Sequence, residues 1–161
     1  MVRFWMQVQR VRPPMGLAQS IFQLTDWLVR PIRRVLPGFA GYDWASLLAA
    51  VLVALVSIEL ELLLQSVMSL QILLVLSFIR FMQWILYGFM ALLVLEAIFS
   101  WVNPSAPFAP FIRALNAPIL SPLRRLIPPM GGIDFSPLVA LIILQVLNRI
   151  LSELAPQLLI W

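Results

Sequence analysis

Cysteine and histidine are absent from the chain, and lysine is absent too, because all eleven basic residues are arginine. Without cysteine and histidine there is no disulfide, thiol nucleophile, imidazole base, ordinary zinc site or haem held by either residue. Without lysine there is no Ser–Lys nucleophile pair and no Schiff base. We therefore expect a protein that is not an enzyme and that uses no metal and no cofactor.

Charge of either sign is also scarce. Only 11% of the 161 residues are charged, whereas 62% are hydrophobic and the mean hydropathy is +0.98. A soluble domain is roughly 45–50% apolar. Three apolar stretches, at 44–65, about 70–102 and 135–155, reach the ~20 residues that a helix needs to cross a bilayer. The composition predicts an all-α integral membrane protein with about three spans, of which the second is too long for one straight crossing.

Two segments rich in proline and arginine lie between the apolar stretches, and they are copies of one another at a constant offset of 91 residues. We call residues 31–43 the first motif segment and residues 122–134 the second. The matching positions are Pro31 and Pro122, Arg33 and Arg124, Arg34 and Arg125, Pro37 and Pro128, Gly41 and Gly132, and Asp43 and Asp134.

The same offset continues upstream of each motif segment. Apolar residues recur there at the spacing of one helix face, namely Leu17, Ile21, Leu24 and Leu28 in the first copy and Phe108, Ile112, Leu115 and Ile119 in the second. Polar residues are assigned to the opposite face, with Gln19, Gln23 and Asp26 in the first copy and Arg113 and Asn116 in the second. We expect interfacial helices at 17–29 and 107–120, each followed by a Pro-Arg-Arg turn and a transmembrane helix.

This pattern divides the chain into two tandem modules, 1–65 and 66–161. An apolar span at about 70–102 precedes the second interfacial helix, whereas only residues 1–8 precede the first. Two interpretations remain: three spans in place of a symmetric four, or a start codon assigned too far downstream. We favour the second, which predicts upstream in-frame DNA for about 15–25 mostly apolar residues.

Arginine distribution predicts the orientation. Two spans separate the motif segments, which places both on one side with nine of the eleven arginines, leaving Arg80 and Arg149 toward the other. By the positive-inside rule the arginine-rich side is cytoplasmic. We expect a multi-pass protein of the plasma membrane with its C-terminus outside.

Residues 31–37, Pro-Ile-Arg-Arg-Val-Leu-Pro, and residues 122–138, Pro-Leu-Arg-Arg-Leu-Ile-Pro-Pro-Met-Gly-Gly-Ile-Asp-Phe-Ser-Pro-Leu, give the chain a family resemblance. It resembles the YggT family of small membrane proteins, in the two-module bacterial form. The chain departs from that form in its first span and at residues 38–42. The resemblance implies links to osmotic tolerance and ion uptake, to cell division, and to assembly of membrane complexes, without an agreed reaction.

The arginine pairs 33/34 and 124/125 have two interpretations. They bind anionic lipid head groups or an acidic partner, or they only set the topology. The wider family motif adds Pro31, Pro37, Gly41, Asp43, Pro122, Pro128, Gly131, Gly132, Asp134 and Pro137 as candidate contact residues.

Intramembrane aspartyl proteases use two carboxylates, and Asp43 and Asp134 could form such a pair. Each, however, directly precedes an apolar helix, which is the N-cap position, and Pro137 fits the first turn of the second such helix. We therefore expect both aspartates to be caps.

Other ionisable residues fall near membrane depth. Glu59 and Glu61 are expected beside Arg80, and Arg149 and Glu153 are spaced for an ion pair on one helix. Glu96 lacks a partner on its own helix, and it leaves a small transporter or channel subunit affecting osmotic tolerance as the alternative function.

The leading expectation is a non-enzymatic membrane protein that organises or helps assemble other membrane components. Its expected partners are lipids and other membrane proteins, with a homo-oligomer left open and no nucleic acid.

Overall fold

A computed structural model describes residues 2–36, 38, 42–64, 69–127 and 134–157. Over these residues the chain forms six helices, so the predicted all-α fold is confirmed. They are α1 (Val2–Val8), α2 (Met15–Val35), α3 (Trp44–Leu64), α4 (Leu70–Val102), α5 (Ala109–Leu126) and α6 (Ser136–Gln157).

Three helices, α3, α4 and α6, are long and apolar enough to cross a membrane, and they coincide closely with the predicted spans. α4 has 33 residues, which at 1.5 Å per residue is about 50 Å, longer than a hydrocarbon core of ~30 Å. Many of their large apolar side chains face outward, among them Val56, Leu60, Phe78, Ile142 and Val146. Such a surface is compatible with a lipid environment.

The sequence predicts turns at the arginines of the motif segments, but the structure has helix there. α2 runs on to Val35 and α5 to Leu126, so Pro31, Arg33, Pro122 and Arg124 lie in the last helical turns. The φ angle of proline suits a helix and only one backbone hydrogen bond is lost at each. Arginines in a last turn also complement the negative end of the helix dipole, which offsets part of that loss.

α4 lies at the centre, in contact with α3, α5 and α6. Leu93 of α4, Leu120 of α5, and Ala140 and Leu144 of α6 form one buried cluster. In the other half, Val29 of α2 packs against Ala45 and Ala49 of α3. Small residues four apart on α3, and Ser136 and Ala140 on α6, allow the neighbouring backbone to approach closely.

The short helix α1 joins the two halves. Met6 is buried with Phe111, Ile112 and Leu115 of α5. The indole N–H of Trp5 donates to the carbonyl of Leu115 at 3.0 Å, and its ring meets Phe89 of α4 edge-on with centroids 4.9 Å apart.

Asn116 corrects the face assigned to α5. It was placed on the polar face with Arg113, but it is fully buried and donates to the carbonyl of Leu92 in α4 at 2.9 Å. Four residues after Ile112, it shares the apolar face. Its amide nitrogen finds a backbone acceptor, which offsets part of the cost of burial, while its Oδ1 has no partner among the described residues.

Close packing at Ala140 predicts a clear response to added volume. Ala140→Leu should lower the free energy of unfolding by about 1–3 kcal/mol, because the larger side chain meets Leu93 and Leu120 with no room to spare. Ala91→Leu, at an exposed position of α4, is the matched control and should change it by less than about 0.5 kcal/mol. The measurement is helical circular dichroism during titration of detergent micelles with SDS. Equal effects of the two substitutions would show that α5 and α6 are not packed here as described.

Candidate functional site

Arg124 joins three segments of the chain at the second motif segment. It lies in the last turn of α5, and one terminal nitrogen donates to Glu96 Oε1 of α4 at 2.6 Å while Nε donates to Asp134 Oδ2 at 2.8 Å. The Glu96 side chain is only 5% exposed, and that of Arg124 32%. Glu96, which had no expected partner, therefore has a charged one from a neighbouring helix.

Arg33 makes the corresponding contact in the first motif segment. Its guanidinium lies 2.6 Å from Asp43 Oδ2, and the Asp43 carboxylate is 3% exposed. The hydroxyl of Ser46 also donates to Oδ2, at 2.7 Å. Arginine and aspartate ten residues apart thus pair in both motif segments, each pair joining the end of one helix to the start of the next.

The two ion pairs differ in the number of carboxylates. The position 91 residues before Glu96 is Trp5, so Arg33 has no equivalent of the glutamate. Arg33 is accordingly more exposed, at 51% of its side chain, than Arg124. The second site is a partly buried cluster of one cation and two anions. The first site has one anion and a cation that is half exposed.

Asp43 is the N-cap expected from sequence, and Asp134 is not quite one. Asp43 Oδ1 accepts the backbone N–H of Ser46, three residues on, at 3.2 Å. The equivalent of Ser46 is Pro137, which has no N–H to give. Asp134 Oδ1 instead accepts from Ser136 N–H at 2.9 Å, and α6 begins one residue later than the repeat predicts.

The second arginine of each pair behaves differently from the first. Arg34 and Arg125 are exposed, and neither forms an ion pair with any other residue that the structure describes. Each motif segment therefore has one arginine engaged in an ion pair and one whose guanidinium remains available.

Two of the expected local ion pairs are present, whereas Glu59 forms none with Arg80 in the described part of the chain. Arg80 binds Glu61 at 3.0 Å, and Arg149 binds Glu153 at 2.9 Å. Sequence reasoning missed another, in which Asp26 of α2 binds both Arg3 of α1 and, at 2.9 Å, Arg30. The pair of Asp26 and Arg30 could have been predicted from their spacing of four residues on one helix. Arg3 is distant in sequence, and only the tertiary structure brings it to Asp26.

Neighbouring charges shift the pKa values of Asp134, Arg124 and Asp26. Burial opposes the charged form of Asp134, but hydrogen bonds from Arg124 and from the Ser136 backbone outweigh it and hold the pKa of Asp134 below its usual 3.8. Burial likewise works against the charge of Arg124, yet Glu96 and Asp134 raise its pKa above the ordinary value. At Asp26, the Arg3 hydrogen bond is the main cause of a lowered pKa. All three groups are charged at neutral pH.

Several candidate motif residues cannot be placed against this geometry, since Pro37, Gly41, Pro128, Gly131 and Gly132 lie outside the described residues. Within the part that is described, no group of three or more Asp, Glu, His or Cys side chains is arranged to hold a metal ion. The arrangement is suited to charge pairing and to binding of anions.

Comparisons with known proteins give a consistent result. The family model CCB3/YggT matches residues 1–67 and 75–155. The chain is 35% identical to "Uncharacterized protein YggT" of Escherichia coli (strain K12) over 95% of this chain and 81% of that one. It is 35% identical to "Uncharacterized protein PA0392" of Pseudomonas aeruginosa over 93% and 79%, and 30% identical to an uncharacterized Haemophilus influenzae protein over 95% and 83%. No solved structure matches.

The number of carboxylates at each arginine predicts how much its loss costs. Arg124→Gln leaves two carboxylates facing each other without a cation and should lower the free energy of unfolding by about 3–5 kcal/mol. Arg33→Gln strands one carboxylate, still held by Ser46, and should cost about 1–3 kcal/mol. Arg80→Gln, in an exposed pair, is the control at about 0–1 kcal/mol.

SDS titration of the purified variants measures this order. Adding Glu96→Gln to Arg124→Gln should restore part of the loss, because it removes one of the two stranded charges. An Arg124→Gln variant as stable as Arg80→Gln would contradict the ion cluster of Arg124, Glu96 and Asp134.

Proposed function

The chain belongs to the CCB3/YggT family, and we propose that it is a non-catalytic, multi-pass protein of the bacterial plasma membrane. In this proposal it organises other membrane components, or helps to assemble them, through contacts with lipid head groups and with other membrane proteins. Division machinery and membrane complexes are the assemblies that this role would serve.

The membrane part of the proposal is supported by the three long apolar helices and their exposed apolar side chains. In water these side chains would form extensive apolar patches, which favour aggregation. For the orientation, the arginine distribution supports a cytoplasmic position for both motif segments and an external C-terminus. The two motif segments then act at the same membrane face, as two tandem modules.

One observation carries the proposed mode of action: the two arginines of each motif segment have different roles. Arg33 and Arg124 each form an ion pair with the aspartate ten residues on, whereas Arg34 and Arg125 are exposed and have no ion-pair partner among the described residues. A guanidinium at a cytoplasmic interface offers a planar pair of donors to a phosphate or a carboxylate. We call Arg33 and Arg124 the inner arginines, and Arg34 and Arg125 the outer ones. The inner arginine would fix the end of the helix, and the outer arginine would thereby be held in place to meet a head group or an acidic partner.

A small transporter or channel subunit is the second candidate, and Glu96 is the observation in its favour. This buried carboxylate lies within an apolar helix, and its Oε2 has no hydrogen-bond partner among the described residues. Buried acids of this kind often mark an ion path. We rank this function second because Arg124 already supplies the charge that Glu96 needs, and a structural pairing explains the acid without a pathway.

Replacing arginine by lysine separately at the outer and inner positions tests the proposal. The Arg34→Lys/Arg125→Lys double variant should insert and fold normally but complement a deletion strain poorly, since an ammonium keeps the charge and loses the planar fork. The matched Arg33→Lys/Arg124→Lys variant should instead lose stability, because a single ammonium does not reproduce the two-sided contact of Arg124.

The readouts are complementation under whichever stress affects the deletion strain, membrane content of the protein, and lipids and proteins recovered with it in mild detergent. Full complementation by Arg34→Lys/Arg125→Lys would reduce the outer arginines to topology signals and refute the proposed contact.

A further inference from the structure

A cleft of about 460 Å³ lies between α1, the connection after it, α2 and the start of α3. This volume is within the roughly 300–1,000 Å³ of typical small-ligand sites. Its wall includes four arginines, Arg3, Arg10, Arg12 and Arg33, and one carboxylate, Asp43. None of the first three was singled out as a candidate site residue by the sequence pattern.

Two of these four positive charges are not neutralised by an ion pair. Asp26 compensates Arg3, and Asp43 compensates Arg33. Arg10 and Arg12 are exposed, and in the described part of the chain they have no ion-pair partner. Each guanidinium carries five N–H donors, so the cleft offers many more donors than its own single carboxylate accepts.

Arg10 is held toward the cleft by an unusual helix end. The N–H of Val11 donates to Met6 O at 2.9 Å and that of Arg10 to Gln7 O at 3.0 Å, which is the hydrogen-bond pattern of a Schellman motif. Arg10 occupies the left-handed position of that motif, with φ of 52°, where glycine is the usual residue. A side chain kept at a strained backbone position is a feature of functional sites.

One hydrogen-bond donor of Arg3, in the wall of the cleft, has no acceptor among the described residues. Arg3 is 5% exposed, donates to the Phe22 carbonyl at 3.1 Å, and lies 4.5 Å above the Phe22 ring. Its Nε is buried and has no hydrogen-bond partner among the described residues. Buried donors without partners are rare in proteins, and one explanation for them is a bound molecule that completes the network.

Comparison of the two motif segments indicates what is missing here. Arg124 has two carboxylates, Glu96 and Asp134, but Arg33 has only Asp43. At the sequence position that corresponds to Glu96, 91 residues earlier, the chain has Trp5, and the described residues give Arg33 no second carboxylate. An anion in the cleft would take the place that Glu96 fills in the second half of the protein.

We infer that this cleft binds a phosphate group carried on a small ester. A carboxylate presents two oxygens and matches one guanidinium fork. Arg10 and Arg12 lie in the connection after α1 and Arg33 lies in α2, and three guanidiniums suit an anion with several charged oxygens. A lipid head group and a soluble phosphate ester share this chemistry. The inference is independent of the role of Arg34 and Arg125, which do not line the cleft.

Binding to the purified full chain in a neutral detergent tests the inference, with a short-chain phosphatidylglycerol, glycerol 3-phosphate and the matching short-chain diacylglycerol as probes. We expect the phosphatidylglycerol to bind and the diacylglycerol, which lacks phosphate, not to bind. Comparable affinity for glycerol 3-phosphate would identify a soluble ester as sufficient, and binding of the lipid alone would identify a head-group site; both support the cleft. Binding of neither phosphate probe would overturn it.

Two variants locate the binding. Arg10→Gly places the preferred residue in the left-handed position, so the thermal midpoint should be kept or raised while affinity falls. Arg12→Gln removes a guanidinium from the connecting segment. Each should weaken phosphate binding about tenfold, as the loss of a hydrogen bond between charged groups does.

Arg113→Gln is the control, since Arg113 is exposed on α5 and does not line the cleft. Its affinity should match that of the unaltered protein. An equal loss in Arg113→Gln, or full affinity in both cleft variants, would show that binding follows overall charge and would refute the assignment.

Discussion

Arg124 is a partly buried cation that is paired with anions from two other segments of the chain. It ends α5, contacts Glu96 of the central helix α4, and contacts Asp134 just before α6. In a largely apolar molecule such a charge is costly unless it is paired with good geometry. Pairing therefore holds the last turn of α5 against α4 and against the start of α6, and it adds to the apolar contacts that set which face of α5 lies on α4.

The same constraint, relaxed, explains the first half of the protein. Arg33 pairs with Asp43 alone and stays half exposed, in the wall of an arginine-lined cleft. The two halves thus use one ion pair in two ways, closed by a glutamate in one and open to solvent in the other. A duplicated segment can keep its structural arginine in both copies while only one copy retains room for a ligand.

The apolar helices could be predicted well from sequence because their signal is local and continuous: predicted spans 44–65 and 70–102 correspond to Trp44–Leu64 and Leu70–Val102. The arginine segments were assigned to turns because proline usually ends a helix, a preference that helix-end electrostatics and tertiary pairing override here. Glu96 and Arg124 are 28 residues apart, and no periodicity connects them. Burial of Asn116 depended on the carbonyl of Leu92, which only the packed fold brings near.

The central claim is that each motif segment has an inner arginine, engaged by carboxylates, and an outer one that is accessible. Arginine-directed labelling with phenylglyoxal, applied to the protein in lipid vesicles open to the reagent on both sides and read by mass spectrometry, measures this at single residues. The account predicts that Arg125 reacts several times faster than Arg124, and that Glu96→Gln narrows the difference by loosening Arg124. Equal labelling rates at the two neighbouring arginines in the unaltered protein would contradict it.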